Sequence, residues 1–311
     1  MIKSIEQYLS ELKKELSKSD PATVQDALSD AEEYLRTALE NAVAADGGVS
    51  EADALPLIVE KYGLPAEVAT AYKDIESMTP PAFGRPSFRE IELHAATEPT
   101  EYKVPDTRPW YVKFFGVMAE PRAWGALLYL LFALGTGIIY YTWTITGISL
   151  SLGLLVLVIG LPFAALFLLS VRGISLVEGR IVEALLGIRM PRRPLFSRKN
   201  IGWWERFKGM MADKHTWLSI LYMTLQLPLG IIYFTVFITL IALALSGFAI
   251  PIIQLGYDIP FGFGNGAYYL ATWLMPFVVI GGALLLILTM HLAKLVGQCH
   301  GRLAKVMLVR V

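Results

Sequence analysis

The sequence predicts an all-α protein: a small cytoplasmic helical bundle followed by a polytopic four-helix transmembrane domain built from two parallel hairpin repeats. Three observations carry this. The chain of 311 residues is 55% hydrophobic and only 17% charged, against about a quarter charged in soluble domains. The shortfall is local: residues 123–171 and 216–257 hold no charged side chain, and Asp258 is the only charge between Thr216 and Lys294. A bilayer core of ~30 Å needs ~20 helical residues, so such runs read as spans. Second, the front of the chain is acidic and helically periodic. Third, one stretch of the apolar part recurs further on.

The elements follow in order. Ile2, Ile5, Tyr8, Leu9, Leu12 and Leu16 recur at helical spacing over residues 2–18. Asp20 suits an N-cap, and Pro21 suits the first position of a second helix over 21–45. That helix would bury Val24, Leu28, Ala31, Leu35, Leu39 and Val43. Ser50 is placed to cap a short helix over 51–61, Gly63 suits a left-handed C-terminal cap, and Pro65 opens a fourth helix to about Glu76. Residues 77–118 form a linker and membrane approach. It is rich in proline between Pro80 and Pro109 and ends on Trp110, Tyr111, Phe114 and Phe115, residues suited to a membrane interface. Residues 1–20 are charged and lack the apolar core of a signal peptide, so no cleavage is expected.

Residues 119–311 carry the spans, placed near 124–146, 149–171, 218–242 and 269–292. Shifting residues 123–146 by 93 positions aligns Trp124 with Trp217, Tyr129 with Tyr222, Gly137 with Gly230 and Tyr140 with Tyr233, among 11 identities in 24. A shift of 122 aligns Gly179-Arg180 with Gly301-Arg302. Each repeat is thus a hairpin followed by a basic amphipathic segment, and the second is longer around 247–268. Lys and Arg crowd before the first span, between the second and third, and after the fourth, and are absent from the other two loops. The positive-inside rule then puts both ends and the central loop in the cytoplasm of a prokaryotic inner membrane. Both hairpins start inside, so the repeats are parallel and not the inverted pairs of many transporters.

Charge is also divided along the chain. Residues 1–80 hold 7 Lys/Arg and 16 Asp/Glu, whereas residues 81–311 hold 20 and 11. The halves can attract each other or find separate partners.

Two family resemblances enter here. Residues 1–76 resemble the HAAS domain, a helical bundle of bacterial membrane proteins often encoded beside PadR-like transcription regulators. The matching residues are Tyr8-Leu9, Leu12, Leu16, Glu32, Glu33, Leu35 and the run from Lys61 to Ala69. The family often has Asp where Leu64 stands. Residues 119–311 resemble the sensor domain of actinobacterial-type membrane proteins and of some histidine kinases. That likeness rests on Pro121-Arg122-Ala123-Trp124, Leu128-Tyr129, Gly137 to Tyr140, Leu152-Gly153, Gly160-Leu161-Pro162, Asp213 to Trp217 and Pro228-Leu229-Gly230. Neither resemblance brings catalytic residues.

The chemistry-bearing residues are few. The predicted spans lack Asp, Glu, Lys and Arg in their middles, which argues against an ion pump or intramembrane hydrolase. His291, Cys299 and His300 fit no standard metal motif, so no metal and no cofactor is expected. The outward loop offers Tyr257, Asp258, Phe261, Phe263 and Asn265 as a lid over an apolar or cationic ligand, or as a simple interfacial loop. The basic central loop offers Arg192, Arg193, Arg198, Lys199, Trp203, Trp204, Arg206 and Lys208 as a surface for anionic lipid. Direct nucleic-acid binding is not expected beside a membrane. Docking of the acidic front onto this basic face is the remaining option, and it would let lipid and domain compete for one surface.

The expectation is therefore a non-enzymatic signalling or regulatory membrane protein. It would sense an envelope or lipid condition and relay it through residues 1–76 to a cytoplasmic partner such as a PadR-like regulator. Two alternatives stand: an accessory subunit of an ABC-type exporter or other membrane complex, and a lipid-binding carrier or small transporter. A homo-oligomer is compatible with each.

Overall fold

The computed structural model describes residues 2, 4–45, 51–78, 109–156, 160–192, 203–263 and 266–310. Four helices open the chain: α1 (Ile5–Glu15), α2 (Pro21–Ala45), α3 (Glu51–Tyr62) and α4 (Pro65–Met78). After the linker come α5 (Trp110–Gly116), a 3-10 turn (Val117–Ala119), α6 (Pro121–Leu155), α7 (Gly160–Leu186), α8 (Trp203–Ala212) and α9 (Lys214–Tyr257). A short hairpin, β1 (Phe261–Phe263) and β2 (Gly266–Tyr268), and a 3-10 turn (Thr272–Leu274) lead into α10 (Met275–Leu308). The protein is all-α apart from that hairpin. Four of its helices are long and apolar enough to cross a membrane.

The apolar period of the front dictates a bundle core of Ile5, Tyr8, Leu12, Leu16, Val24, Ala27, Ala31, Leu35, Leu55, Val59 and Ala69. Ile2, Leu9, Leu28 and Leu39 pack on its edge. Val43, expected inside, is 44% exposed in the last turns of α2. Local signals set the ends. Ser4 Oγ accepts from Gln7 N, and Asp20 Oδ1 accepts from Ala22 N at 2.9 Å. Gly63 takes φ 115° to end α3. The Tyr8 hydroxyl donates to the Gly63 carbonyl at 2.8 Å, tying α1 to that turn. Ser50 and residues 79–108 of the linker, His94 among them, lie outside the described residues.

The long helices overrun the spans read from hydropathy. α6 continues through residues 147 and 148, because Gly147 is bounded by apolar and β-branched residues and no proline interrupts the turn. α9 continues to Tyr257 despite Pro228 and Pro251 within it. Much of the extra length at 247–268 is therefore helix, and the rest forms the hairpin, with Phe261 opposite Tyr268 and Phe263 opposite Gly266. A glycine loop flanked by aromatics gives no alternating pattern long enough to announce strands of three residues.

By contacts the chain falls into two compact units. The first gathers Met1–Ser87, Ile148–Tyr222 and Leu303–Val311, and the second gathers Phe88–Gly147 and Met223–Arg302. In the second unit, glycines set the helix crossings. A Cβ on Gly137 of α6 would lie 2.7 Å from the Gln226 carbonyl of α9, and one on Gly230 would lie 2.9 Å from Leu134 Cα. Further along, a Cβ on Gly247 of α9 would meet Gly282 Cα of α10 at 2.9 Å. Small residues let backbones approach where lipid offers no hydrophobic drive between helices.

Candidate functional site: a basic face that holds the acidic bundle

Within the first unit, the acidic bundle is bound to the chain ends that follow α7 and α10. Gly187, at φ 67°, stops α7. The extended residues after it run along the start of α2. Arg189 donates to Thr23 Oγ1 at 3.2 Å and to the Glu76 carbonyl at 2.9 Å. That carbonyl belongs to the last turn of α4, where backbone acceptors lack helical partners and a cation is favoured. Arg192 N donates to both carboxylate oxygens of Asp26, at 2.8 and 3.0 Å.

The C-terminal residues complete the grip. Lys305 pairs with Asp20, the same carboxylate that caps α2. Arg310 N donates to Gln25 Oε1 at 2.7 Å. Contact on this side explains why Thr23 and Gln25 are only 5–6% exposed although they are polar. They are not core of the bundle; they are its covered face.

The basic side is itself braced. Arg180 donates to the Arg192 carbonyl at 2.7 Å, and Arg192 and Arg180 both pair with Glu183. Met190 is fully buried against Gly179. Asp213 pairs with Arg172 at 3.1 Å and with Arg310 at 3.7 Å, which orients the residue that holds Gln25. Arg180, Arg192 and Arg310 are about half exposed, so an isolated pair would contribute only ~0–1 kcal/mol, and what sets these apart is that several charges share one network.

Of the predicted lipid surface, the structure brings only Arg192 into this face. Arg193, Arg198 and Lys199 lie outside the described residues, as do the side chains of Trp203 and Arg206 on α8. Trp204 is 42% exposed, stacks on Phe207, and has Lys208 Nζ 5.5 Å from its ring centroid. The predicted lid is partly helix. Tyr257 ends α9 and is 74% exposed, and Asp258 takes φ 56° just beyond it. The Asp258 carbonyl accepts from the Tyr269 hydroxyl at 3.1 Å. Phe261 and Phe263 lie on β1, with side chains outside the description, as is Asn265. Gln254 closes the turn by bonding both N and O of Leu270 at 2.8 Å.

Two buried tyrosine sites complete the inventory. In the first unit Tyr222 donates to Glu178 at 2.9 Å, the carboxylate being 1% exposed. In the second unit Tyr129 bonds His300 Nε2 at 2.7 Å, Gln226 donates to Tyr129 at 3.2 Å, and Tyr233 lies 3.3 Å from His300 Nδ1. His291 bonds the Phe114 carbonyl instead, and Cys299 is exposed. No group of three or more metal-capable side chains forms among the described residues.

Arg189, Lys305, Arg310, Thr23 and Gln25 were missed as a set by sequence reasoning. The signal that could have found them is the polar set Thr23, Gln25 and Asp26 at the start of a helix whose core is Val24, Ala27, Ala31 and Leu35. A family model described as "Putative sensor" matches residues 129–308, more than half of the chain. No curated protein and no solved structure matches it.

Proposed function

This chain belongs to the Sensor family, and on that premise we propose that it is a non-enzymatic membrane regulator. Its N-terminal bundle serves as a latch on a basic cytoplasmic face. The spans respond to an envelope or lipid condition in the inner membrane. That response alters the grip on the bundle, and the bundle carries the change to a cytoplasmic protein, of which a PadR-like transcription regulator is one kind.

The observation that supports this reading is the convergence of Arg189, Arg192, Lys305 and Arg310 on Thr23, Gln25, Asp20, Asp26 and Glu76. Two of the four basic residues follow α7 and two lie at the end of α10, so both contact sets continue directly from span helices. A shift of either helix moves a basic residue relative to the bundle. Anionic lipid gathering at the same cations would oppose the carboxylates.

The test is purification of the tagged full chain from its native membrane in mild detergent. Recovery of a DNA-binding regulator, lost on deletion of residues 1–76 and changed by Lys305→Glu, is the expected result. Recovery of transporter subunits that persist after the deletion would replace this reading with an accessory subunit held through its spans.

A further inference from the structure

The bundle has a second face, away from the latch. A groove of about 860 Å³ opens between α1, the middle of α3 and the start of α4. Ile2, Pro56, Val59, Leu64, Pro65 and Ala66 are its apolar lining, and among the described residues Glu11, Glu15, Glu60 and Glu67 outnumber Lys14. The groove reaches α4 at Pro65 and Ala66, whereas the latch uses Glu76 of that helix. At a rise of ~1.5 Å per residue these points lie about 15 Å apart along α4. Both faces can therefore be occupied at once.

Leu64 is the residue out of place. Its carbonyl accepts from Val68 N at 3.0 Å, so it stands at the N-cap of α4. Glu67 Oε2 reaches back to Leu64 N at 2.9 Å, which is half of a capping box. The other half needs a polar side chain at the cap, and leucine cannot supply it. Yet the leucine is not buried as compensation, for it is 53% exposed. An apolar residue placed where it weakens its own helix and stays half exposed is suited to contact with another molecule.

We propose that this groove is the output site and that it takes a basic amphipathic helix of a cytoplasmic protein. The inference rests on the regulatory reading and adds where the partner docks and what it presents. Apolar side chains at helical spacing would fill the space over Val59 and Leu64, and lysines or arginines on the flanks would meet the glutamates. The acidic rim disfavours an anionic lipid surface and an acidic peptide alike.

The experiment uses the full chain in nanodiscs of zwitterionic lipid, with empty nanodiscs as the blank. The probe is a fluorescent leucine/lysine amphipathic helix, and the control is a leucine/glutamate helix of the same length, both followed by anisotropy. The lysine peptide is expected to bind saturably, at least about tenfold tighter than the glutamate peptide. Glu15→Lys with Glu60→Lys should weaken it by about tenfold or more. Leu64→Ser is the decisive variant, because it supplies the missing cap and so leaves the bundle at least as stable, yet should lower affinity several-fold. Equal binding of both peptides, binding matched by empty nanodiscs, no binding, or an affinity unmoved by Leu64→Ser would each overturn the proposal. Amide exchange at Thr23–Asp26, read in the same samples with Lys305→Glu, reports the latch separately. A latch that opens while the groove stays inert sinks this inference alone, and a groove that binds beside an unresponsive latch sinks the regulatory reading.

Discussion

Tyr222 in the first unit and Tyr129 in the second occupy positions 93 residues apart, and their surroundings correspond closely. Trp217 Nε1 donates to the Met211 carbonyl and Trp124 Nε1 to the Met118 carbonyl, each at 2.8 Å. The partners also correspond by the shift of 122: Glu178 for Tyr222, His300 for Tyr129. The tryptophan and tyrosine positions repeat, and the buried chemistry differs, with Glu178 where the shift of 122 puts His300 and Ala133 where the shift of 93 puts Gln226. At Glu178 a carboxyl oxygen accepts from the Tyr222 hydroxyl. An imidazole can accept and donate, so His300 joins two tyrosines, Tyr129 and Tyr233, on its two nitrogens. The scaffold thus carries either chemistry, and at the Tyr129 site it does so with Gln226 Oε1 buried and without a hydrogen-bond partner, a condition that costs ~1–3 kcal/mol.

The glycines test the shared framework most severely. Gly137→Ala and Gly230→Ala place a methyl within 2.9 Å of Leu227 Cα and Leu134 Cα respectively. Backbone cannot turn aside as a side chain can, so the helices must separate. Each variant should lose ~3 kcal/mol, at the upper end of overpacking costs, with equal damage from the two. Thermal unfolding in detergent reads the loss. Strongly unequal damage would break the correspondence between these positions.

The tyrosine partners sharpen the difference. His300→Ala removes a partner from both Tyr129 and Tyr233 and opens a cavity, and should cost ~3 kcal/mol. Glu178→Ala removes an acceptor from Tyr222 and should cost ~2 kcal/mol. Glu178→Gln keeps an acceptor and should cost under ~1 kcal/mol. His300→Glu should be worse than any of these, because a carboxylate loses the N–H that the imidazole holds between Tyr129 and Tyr233. Denaturant titration of the four variants orders them, and a neutral His300→Glu would show that the two sites are interchangeable.

What could be read from the sequence divides along similar lines. The bundle core was legible because Ile5, Tyr8, Leu12 and Leu16 repeat at helical spacing, and the four apolar helices because charge vanishes for whole spans. Gly137 and Gly230 were legible as a pair, though not the carbonyls they meet. The buried Glu178 and Glu183 were not, because α7 extends past its apolar run and hydropathy stops at Arg172. The latch escaped for a different reason. Arg189 and Thr23 are 166 residues apart, and Arg310 and Gln25 are 285 apart; no local pattern reports such a pairing. The opposed charges of front and back forecast attraction but not which cations would meet which carboxylates.

The latch offers a smaller effect. Lys305 and Asp20 are 20% and 23% exposed, between a surface and a buried pair. Lys305→Glu leaves the cap from Asp20 to Ala22 available and should weaken bundle attachment by ~1–2 kcal/mol. Amide exchange should rise at Thr23–Asp26 and stay slow at Leu35, and salt should mimic the variant in part. Uniform acceleration through the bundle would instead mean that the change unfolds it.

The smallest effect belongs to the bundle itself. Tyr8 is fully buried and donates to the Gly63 carbonyl. Burial pushes its phenol well above the ordinary value near 10, and Tyr62 and Glu67 push in the same direction. A phenol whose folded pKa is raised contributes stability that is whole below the unfolded value and is lost as pH climbs toward the folded one. Tyr8→Phe removes the hydrogen bond and the titration together. It should cost ~1 kcal/mol near pH 8, and the gap between variant and parent should narrow above about pH 10. Exchange protection of Leu12 and Leu35 across that range, in the full chain, measures both. A gap that stays constant to high pH would place the loss in packing around the ring and not in the hydroxyl.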